Sequence, residues 1–473
     1  MVHRRLAASQ PASSRIDPTA PSSEHTTAQY GSMTPGKLAA VQARLLKLSL
    51  LVRLVSVTLL IIASQLQQAF DTSHELLSYS LDPHTAHALS AGPFKWALAL
   101  VRWDTVYFVA SASPAADSVH SGGYAWEQTL AFQPGIVALL RVAGYLTPSL
   151  SGEWSPTSAI LVGTVLANLA AALSPVLLHR LTWNVTRNAR LTRTAAVLSM
   201  FAPSAATTLA APTPESFFSL ASLVGLLCLE SSARLGWVRL LAASFWFAVA
   251  TSFRTNGVLL IGYIAFKVIG EARSGRAVSA ATKMVVATAV CVSPSVLFQV
   301  WAYSRFCLDA KRPWCEAQPP SIYTFVQSHY WHVGLLRYWQ PAQLPNFILA
   351  APVLVAIAYT AYAFYRHSTR TQIAASLIPL PRTSRSATDE VSLHTRAHAV
   401  PYVIHAVVLG GVLLFASHVQ IALRLATPGG MPAVWWGAAQ AGLGLRWRRV
   451  VLAYVAVQYC VAVVLYAGFY PPA

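Results

Sequence analysis

The chain has 473 residues, of which 55% are hydrophobic and 11% charged, with a mean hydropathy of +0.49 and a formal net charge of +18. A soluble protein carries about 25% charged residues, and several apolar runs here reach the roughly 20 residues that cross a bilayer, so an all-α polytopic membrane protein is expected and a soluble one is excluded. The basic residues flank the apolar runs in short segments, as positive-inside topology requires, with no zinc-finger spacing or RNP-like motif; membrane lipids are expected partners and nucleic acid is not.

Residues 1–36 are rich in Ser, Thr, Pro and Ala and lack the apolar stretch of a cleaved signal peptide, so they read as a disordered cytoplasmic arm. The first apolar run, about 48–70, follows Lys37, Arg44 and Lys47, a bias that keeps the N-terminus cytoplasmic. Residues 37–365 are expected to form a transmembrane catalytic core with luminal loops at about 71–157 and 305–344. The first loop holds Asp71, Glu75, Asp82, Asp104, Asp117, Glu127 and Glu153, seven of the sixteen acidic residues, which makes it the first place to look for a working acid. Its apolar pieces, 94–100 and 130–146, read as helices lying in the membrane interface.

Further spans are expected near 158–178, 194–211, 216–233, 238–265, 284–304, 345–365, 400–424 and 448–468. One conflict arises: Arg234 and Arg239 favour the cytoplasm, but so do Lys267, Arg273, Arg276 and Lys283, with one apolar run between them. Either that run breaks at Phe253-Arg-Thr-Asn-Gly257 or one basic cluster is luminal. The break is favoured, and because broken helices are tolerated only where they line a protein cavity, it would put Arg254 and Asn256 in the active site. The Ser/Thr/Arg-rich stretch 366–398 reads as a flexible cytoplasmic linker, and 399–473 as the C-terminal transmembrane segments. Five cysteines are too few for a disulfide framework; the spacing of Cys307 and Cys315 permits a bridge in an oxidising lumen without demanding one.

The chain has no GxxxxGK[ST], no GxGxxG opening a helix after a strand, no HExxH, no paired CxxC and no DxD, so ATP-driven transport, nicotinamide chemistry, zinc hydrolysis and a metal-bound sugar nucleotide lack support. No metal and no cofactor are expected. A lipid-phosphate sugar donor fits better: its leaving group departs without a strong acid, and the enzyme needs one carboxylate to deprotonate the acceptor plus cations for the phosphate. Asp104, in Val101-Arg-Trp-Asp-Thr-Val-Tyr-Phe108, is the candidate base, with Trp103 and Tyr107 able to stack on sugar. The alternative is a structural pairing of Asp104 with Arg102 or an interfacial cation.

The run Arg102-Trp-Asp-Thr-Val-Tyr-Phe108, with Glu127-Gln-Thr-Leu-Ala-Phe-Gln-Pro134, resembles the PIG-V family of GPI mannosyltransferases. The resemblance continues through Pro214-Glu-Ser216, Ser252-Phe-Arg-Thr-Asn-Gly257, Arg312-Pro-Trp-Cys315, the aromatic block from Pro320 to Trp339, Gln343-Leu-Pro-Asn-Phe347 and His418-Val-Gln-Ile-Ala-Leu-Arg424. It implies a GT-C-type glycosyltransferase of the endoplasmic reticulum with a luminal active site. The reaction it implies moves mannose, with inversion, from dolichyl-phosphate-mannose to the first mannose of a GPI precursor glycolipid, in an α-1,6 linkage. It also implies a small membrane partner subunit in fungi. Two departures stand out. The family block commonly has Asn where this chain has His332, and the Pro-rich context of Glu215 differs from the usual one, which leaves Glu215 without an assigned role.

On this reading Glu127 binds acceptor hydroxyls or the glucosamine amine, against the alternative of capping an interfacial helix. Arg254 binds phosphate, against snorkelling to an interface. Gln327, His329 and Arg337, interleaved with aromatics, contact donor phosphate or acceptor glycan, against a plain aromatic belt. His418 joins the site through the resemblance alone, a lone His being more often a satisfied core residue. A GT-C enzyme with another lipid-linked or protein acceptor, and a non-catalytic transporter of a lipid-linked glycan, are the competing functions; the second predicts internal repeats, which the sequence does not display.

Overall fold

A computed structural model describes residues 35–70, 77, 81, 87, 95–114, 123–146, 153–230, 235–308, 312–366 and 397–470. Nearly all of the expected arm and of the linker, Arg234 and the acidic residues Asp71, Glu75, Asp82 and Asp117 lie outside them. Among the described residues the chain is helical with no strand. We label the α-helices in chain order: α1 Pro35–Leu66, α2 Asp104–Ala112, α3 Pro134–Gly144, α4 Pro156–Thr186, α5 Ala189–Ser199, α6 Pro214–Glu230, α7 Trp237–Phe253, α8 Ile261–Arg273, α9 Ala277–Phe306, α10 Ile322–His329, α11 Leu344–Tyr365, α12 Val400–Phe415, α13 Ile421–Leu425, α14 Pro432–Leu443 and α15 Leu445–Ala467.

Six described helical stretches are long and apolar enough to cross a membrane: 36–66, 156–186, 255–273, 277–306, 341–365 and 446–467. Local chemistry sets their ends. Ser155 Oγ accepts from the Ser158 amide at 3.3 Å and Pro156 takes the first position of α4, while Asn188 Oδ1 caps α5 through the Leu191 amide at 3.0 Å. The main core packs α4, α6, α7 and α9 against one another and joins them to α11, α12 and α14. A second core surrounds α2 and α3, where Val106, Phe108, Val109, Ile136 and Leu140 meet Ile160 of α4 and Phe469 after α15.

Two expected spans are corrected. The span at 194–211 is not one helix: α5 stops at Ser199 and residues 200–213 run as buried turns, punctuated by Pro203 and Pro212. The span at 400–424 ends at Phe415; residues 416–420 are irregular, and Arg424 sits on the short α13. The short buried helix α14, with Trp435 and Trp436 in the core, lies between the expected spans 400–424 and 448–468. The expected break at 253–257 is present: α7 ends at Phe253, Arg254 is extended (φ −147°, ψ 131°), and a 3-10 turn Thr255–Leu260 leads into α8. In the first loop, 94–100 yields a 3-10 helix Lys95–Leu100, and 130–146 divides into the 3-10 turn Glu127–Ala131 and α3, with Pro134 opening the latter.

Candidate active site

Four segments far apart in sequence supply one charged cluster. Asp104 opens α2, reached through Trp103, whose backbone takes φ 52° and ψ −127°, a positive-φ conformation costly for a bulky residue and found where surroundings enforce it. The enforcing group is Arg102. Its buried guanidinium donates to the carbonyls of Leu98, of Val101 at 3.2 Å and of Ala467 at 3.4 Å, and it stacks on the Phe469 ring at 5.0 Å. Trp103 packs on the same ring at 5.6 Å. Arg102 therefore braces the turn through backbone carbonyls and is not the ion-pair partner of Asp104.

That partner is Arg424 on α13, whose Nη1 lies 2.6 Å from Asp104 Oδ2. Arg424 also reaches Glu215 Oε1, with Nε at 2.8 Å and Nη2 at 2.6 Å. Arg254, projecting from the break between α7 and the 3-10 turn, donates to the same Glu215 oxygen. The result is an alternating chain, Asp104–Arg424–Glu215–Arg254, with formal charge zero. Each isolated buried charge would cost several kcal/mol, so the alternation is what makes the cluster tolerable inside a membrane protein.

Exposure separates the two acids. The Glu215 side chain is 1% exposed and shared between two guanidiniums, whereas that of Asp104 is 34% exposed. Of the two, Asp104 is the one open to a group arriving from outside. Among the described residues its second oxygen, Oδ1, has no hydrogen-bond partner. Trp103 Nε1, Arg254 Nε and Asn256 Nδ2 are likewise buried without a partner among the described residues. Such atoms cost about 1–3 kcal/mol each, and a ligand bringing acceptors is a physical reason to retain them.

The surroundings hold this arrangement. Gln133 donates to Thr255 Oγ1 at 2.9 Å and accepts from Ser295 Oγ at 3.3 Å, tying the loop before α3 to the helix break. Gly257 belongs there because a Cβ would lie 2.6 Å from the Thr251 backbone. His418, beyond the end of α12, has Nε2 2.7 Å from the Trp331 carbonyl and its ring 4.6 Å from Tyr338. Burial lowers its pKa despite the opposing pull of that carbonyl and of the Asp104 carboxylate, and Nε2 is the donor to Trp331 because a carbonyl oxygen only accepts.

The remaining expected residues divide. Tyr107 packs against Phe132 at 6.1 Å, beside the Asp104 helix. Glu127 is engaged by the protein itself: it accepts from Trp314 Nε1 at 2.5 Å and Tyr330 Oη at 3.1 Å, which ties the first loop to the 312–340 region. His329 stacks on Phe325 at 4.8 Å, and Arg337 packs beside Gly334. Gln327, His329 and Arg337 lie on α10 and the loop after it, and among the described residues no hydrogen bond or ion pair joins them to the charged cluster. Cys307 and Cys315 are bridged, with Cα atoms 5.7 Å apart, so the pairing the spacing permitted is present. Two central residues had no role in the sequence reading, Glu215 and Arg424; the available signal was their position as lone charges beside apolar runs.

Residues 42–473 match the family described as Mannosyltransferase (PIG-V). The chain is 30% identical to GPI mannosyltransferase 2 of Cryptococcus neoformans var. neoformans serotype D, covering 89% of this chain and 96% of that one. It is 30% identical to GPI alpha-1,6-mannosyltransferase 2 of Rattus norvegicus, covering 69% of this chain and 70% of that one. Among solved structures, the archaeal oligosaccharyltransferase AglB from Archaeoglobus fulgidus aligns with a TM-score of 0.41 at 12% identity, covering 91% of this chain and 56% of that one.

Proposed function

The chain belongs to the PIG-V mannosyltransferase family and is an α-1,6-mannosyltransferase of GPI-anchor assembly, and from that premise we propose dolichyl-phosphate-mannose as the donor, the lumen of the endoplasmic reticulum as the side of reaction, and Asp104 as the general base. The observation that carries the proposal is the Asp104–Arg424–Glu215–Arg254 chain, in which only the terminal carboxylate is open to an acceptor.

The cluster is neutral before substrate binds. A donor phosphodiester brings one negative charge and competes with Asp104 for Arg424. As Arg424 turns to the phosphate, Asp104 is released to the 6-hydroxyl of the acceptor mannose. The hydroxyl proton passes to Asp104 while its oxygen attacks the anomeric carbon from the face opposite the phosphate. The C1–O bond to phosphate breaks, its electron pair leaves with dolichyl phosphate, and the configuration inverts from β to α. Arg424 and Arg254 meet the charge that develops on the leaving group. Glu215, held between them, keeps the two guanidiniums together against their mutual repulsion. Trp103 and Tyr107 line the approach as stacking surfaces for sugar.

The test is expression of Asp104→Asn in cells lacking the second GPI mannosyltransferase. The wild-type chain converts the accumulated one-mannose precursor and restores GPI-anchored protein at the surface. The variant is expected to fold yet lose about 10²–10⁴-fold in transfer. Wild-type turnover by Asp104→Asn would remove the base from the mechanism, and failure of the wild-type chain to convert the precursor would remove the assignment of acceptor.

A further inference from the structure

Arg53 lies in the middle of α1, the first apolar span, and is 4% exposed. An arginine there has two ordinary fates, snorkelling to an interface or pairing with an acid. It does neither. Nη1 donates to the carbonyl of Ala205 at 2.6 Å and Nη2 to that of Met200 at 2.9 Å, 152 and 147 residues away.

Those carbonyls belong to the connection between α5 and α6. Residues 200–213 are not α-helical, and all except Phe201 are buried. Non-helical backbone at membrane depth has to be satisfied by protein groups. Part of the demand is met locally, by turns such as Ala205 N to Ala202 O at 2.7 Å and Leu209 N to Ser204 O at 3.0 Å. Side chains outside the segment add bonds at both ends: Arg53 at its start, Asn168 of α4, whose Nδ2 donates to Ala210 O at 3.0 Å, and Ser216 of α6, whose Oγ donates to Leu209 O at 3.5 Å. Apolar contact fixes the same face, where Leu60 of α1 packs with Ala206, Ala210 and Ala211. The segment then runs through Pro212, Thr213 and Pro214 into Glu215, in the first turn of α6.

We propose that Arg53 is a positioning residue for the transfer reaction. By clamping Met200 O and Ala205 O it fixes the path of the buried 200–213 segment, and so the place where Glu215 holds Arg424 and Arg254. It touches none of these groups and acts through the segment. The clamp uses the fixed, separated Nη1 and Nη2 donors of a planar guanidinium; a lysine in its place keeps the charge but offers all its donors from one nitrogen on a flexible stem, and so holds the two carbonyls less rigidly. The proposal rests on the reading of the charged cluster as the active site.

The test uses the full chain in detergent with lipid, each variant normalised to monodisperse folded protein, and measures kcat and acceptor KM for Arg53→Lys, Arg53→Met, Asn168→Ala and Glu215→Gln. The expected result is a graded loss of kcat per folded molecule, about tenfold for Arg53→Lys and up to a hundredfold for Arg53→Met, with KM within about twofold of wild type. Asn168→Ala follows in the same direction and carries the test if Arg53→Met does not fold. A residue that only stabilises the fold would lower the yield of folded protein and leave its kcat unchanged. Wild-type kcat in Arg53→Lys and Asn168→Ala alongside an impaired Glu215→Gln overturns the inference and leaves the active-site reading intact. Full activity in Glu215→Gln and Asp104→Asn together overturns that reading, and this one with it.

Discussion

Arg424 ties the two carboxylates together, and its replacement has the largest expected consequence of any single change in the cluster. Arg424→Met leaves Glu215 with Arg254 alone and Asp104 unpaired. Removing one member of a buried ion pair costs about 3–5 kcal/mol, so thermal unfolding in detergent is expected to move down sharply and transfer to be lost. Arg424→Lys is expected to keep much of the stability and little of the activity, since an ammonium cannot serve Asp104 and Glu215 with the fixed fork a guanidinium provides. Equal activity in the lysine variant would show that charge alone suffices. His332 illustrates a different residue-scale effect. Its φ is 52°, in the left-handed region that Asn and His enter more readily than most residues, which accounts for His standing where the resembled family commonly has Asn. His332→Asn is expected to be neutral, and His332→Val to lose about 1–2 kcal/mol of stability.

At the scale of elements, the helix break at 253–257 is what turns Arg254 inward. A continuous helix would direct it according to a 3.6-residue period; the extended residue re-aims it at Glu215. Gly257→Ala tests the packing of that break, because its Cβ would meet the Thr251 backbone at 2.6 Å. Overpacking of this kind costs about 1–3 kcal/mol, and the displacement falls on Arg254, so both melting temperature and transfer rate should drop. The region 312–340 is held differently, by the Cys307–Cys315 bridge and by Trp314 and Tyr330 on Glu127. Cys307→Ser with Cys315→Ser is expected to cost about 2–3 kcal/mol by the chain-entropy relation. Limited proteolysis of the double variant should expose cleavage between 305 and 344 that the oxidised wild type resists.

At the scale of the whole molecule, the end of the first described stretch and the segment after α15 meet beside the Asp104 turn. Phe469 carries the guanidinium of Arg102 on its ring and packs against Trp103, while Ala467 O accepts from Arg102 and Gly468 O from the Phe70 amide at 2.8 Å. The segment after α15 is thus part of the wall that enforces the strained entry to α2. Phe469→Ala removes a fully buried ring, a change that costs about 3–5 kcal/mol in a core. Its effect on kcat is expected to exceed that of Phe364→Ala, which removes a ring of equal burial from α11, away from the cluster.

The amino-acid sequence by itself determined that the chain lives in a membrane, because apolar length and charge placement follow from solvation alone. It also singled out Asp104, an acid among aromatics beside a span, and favoured a break at 253–257 over a luminal placement of one basic cluster. The tertiary structure decided what Asp104 faces. Arg102, its neighbour in sequence, turns to backbone carbonyls, while Arg424, 320 residues on, takes the carboxylate. It also gave Glu215 its place, assigned Glu127 to loop anchoring, and set Arg53 against a buried turn. Those outcomes depend on which backbone groups lack partners once the helices have packed. That demand exists only in the folded chain, since a helix meets its own hydrogen bonds and a broken segment borrows them from wherever a donor arrives.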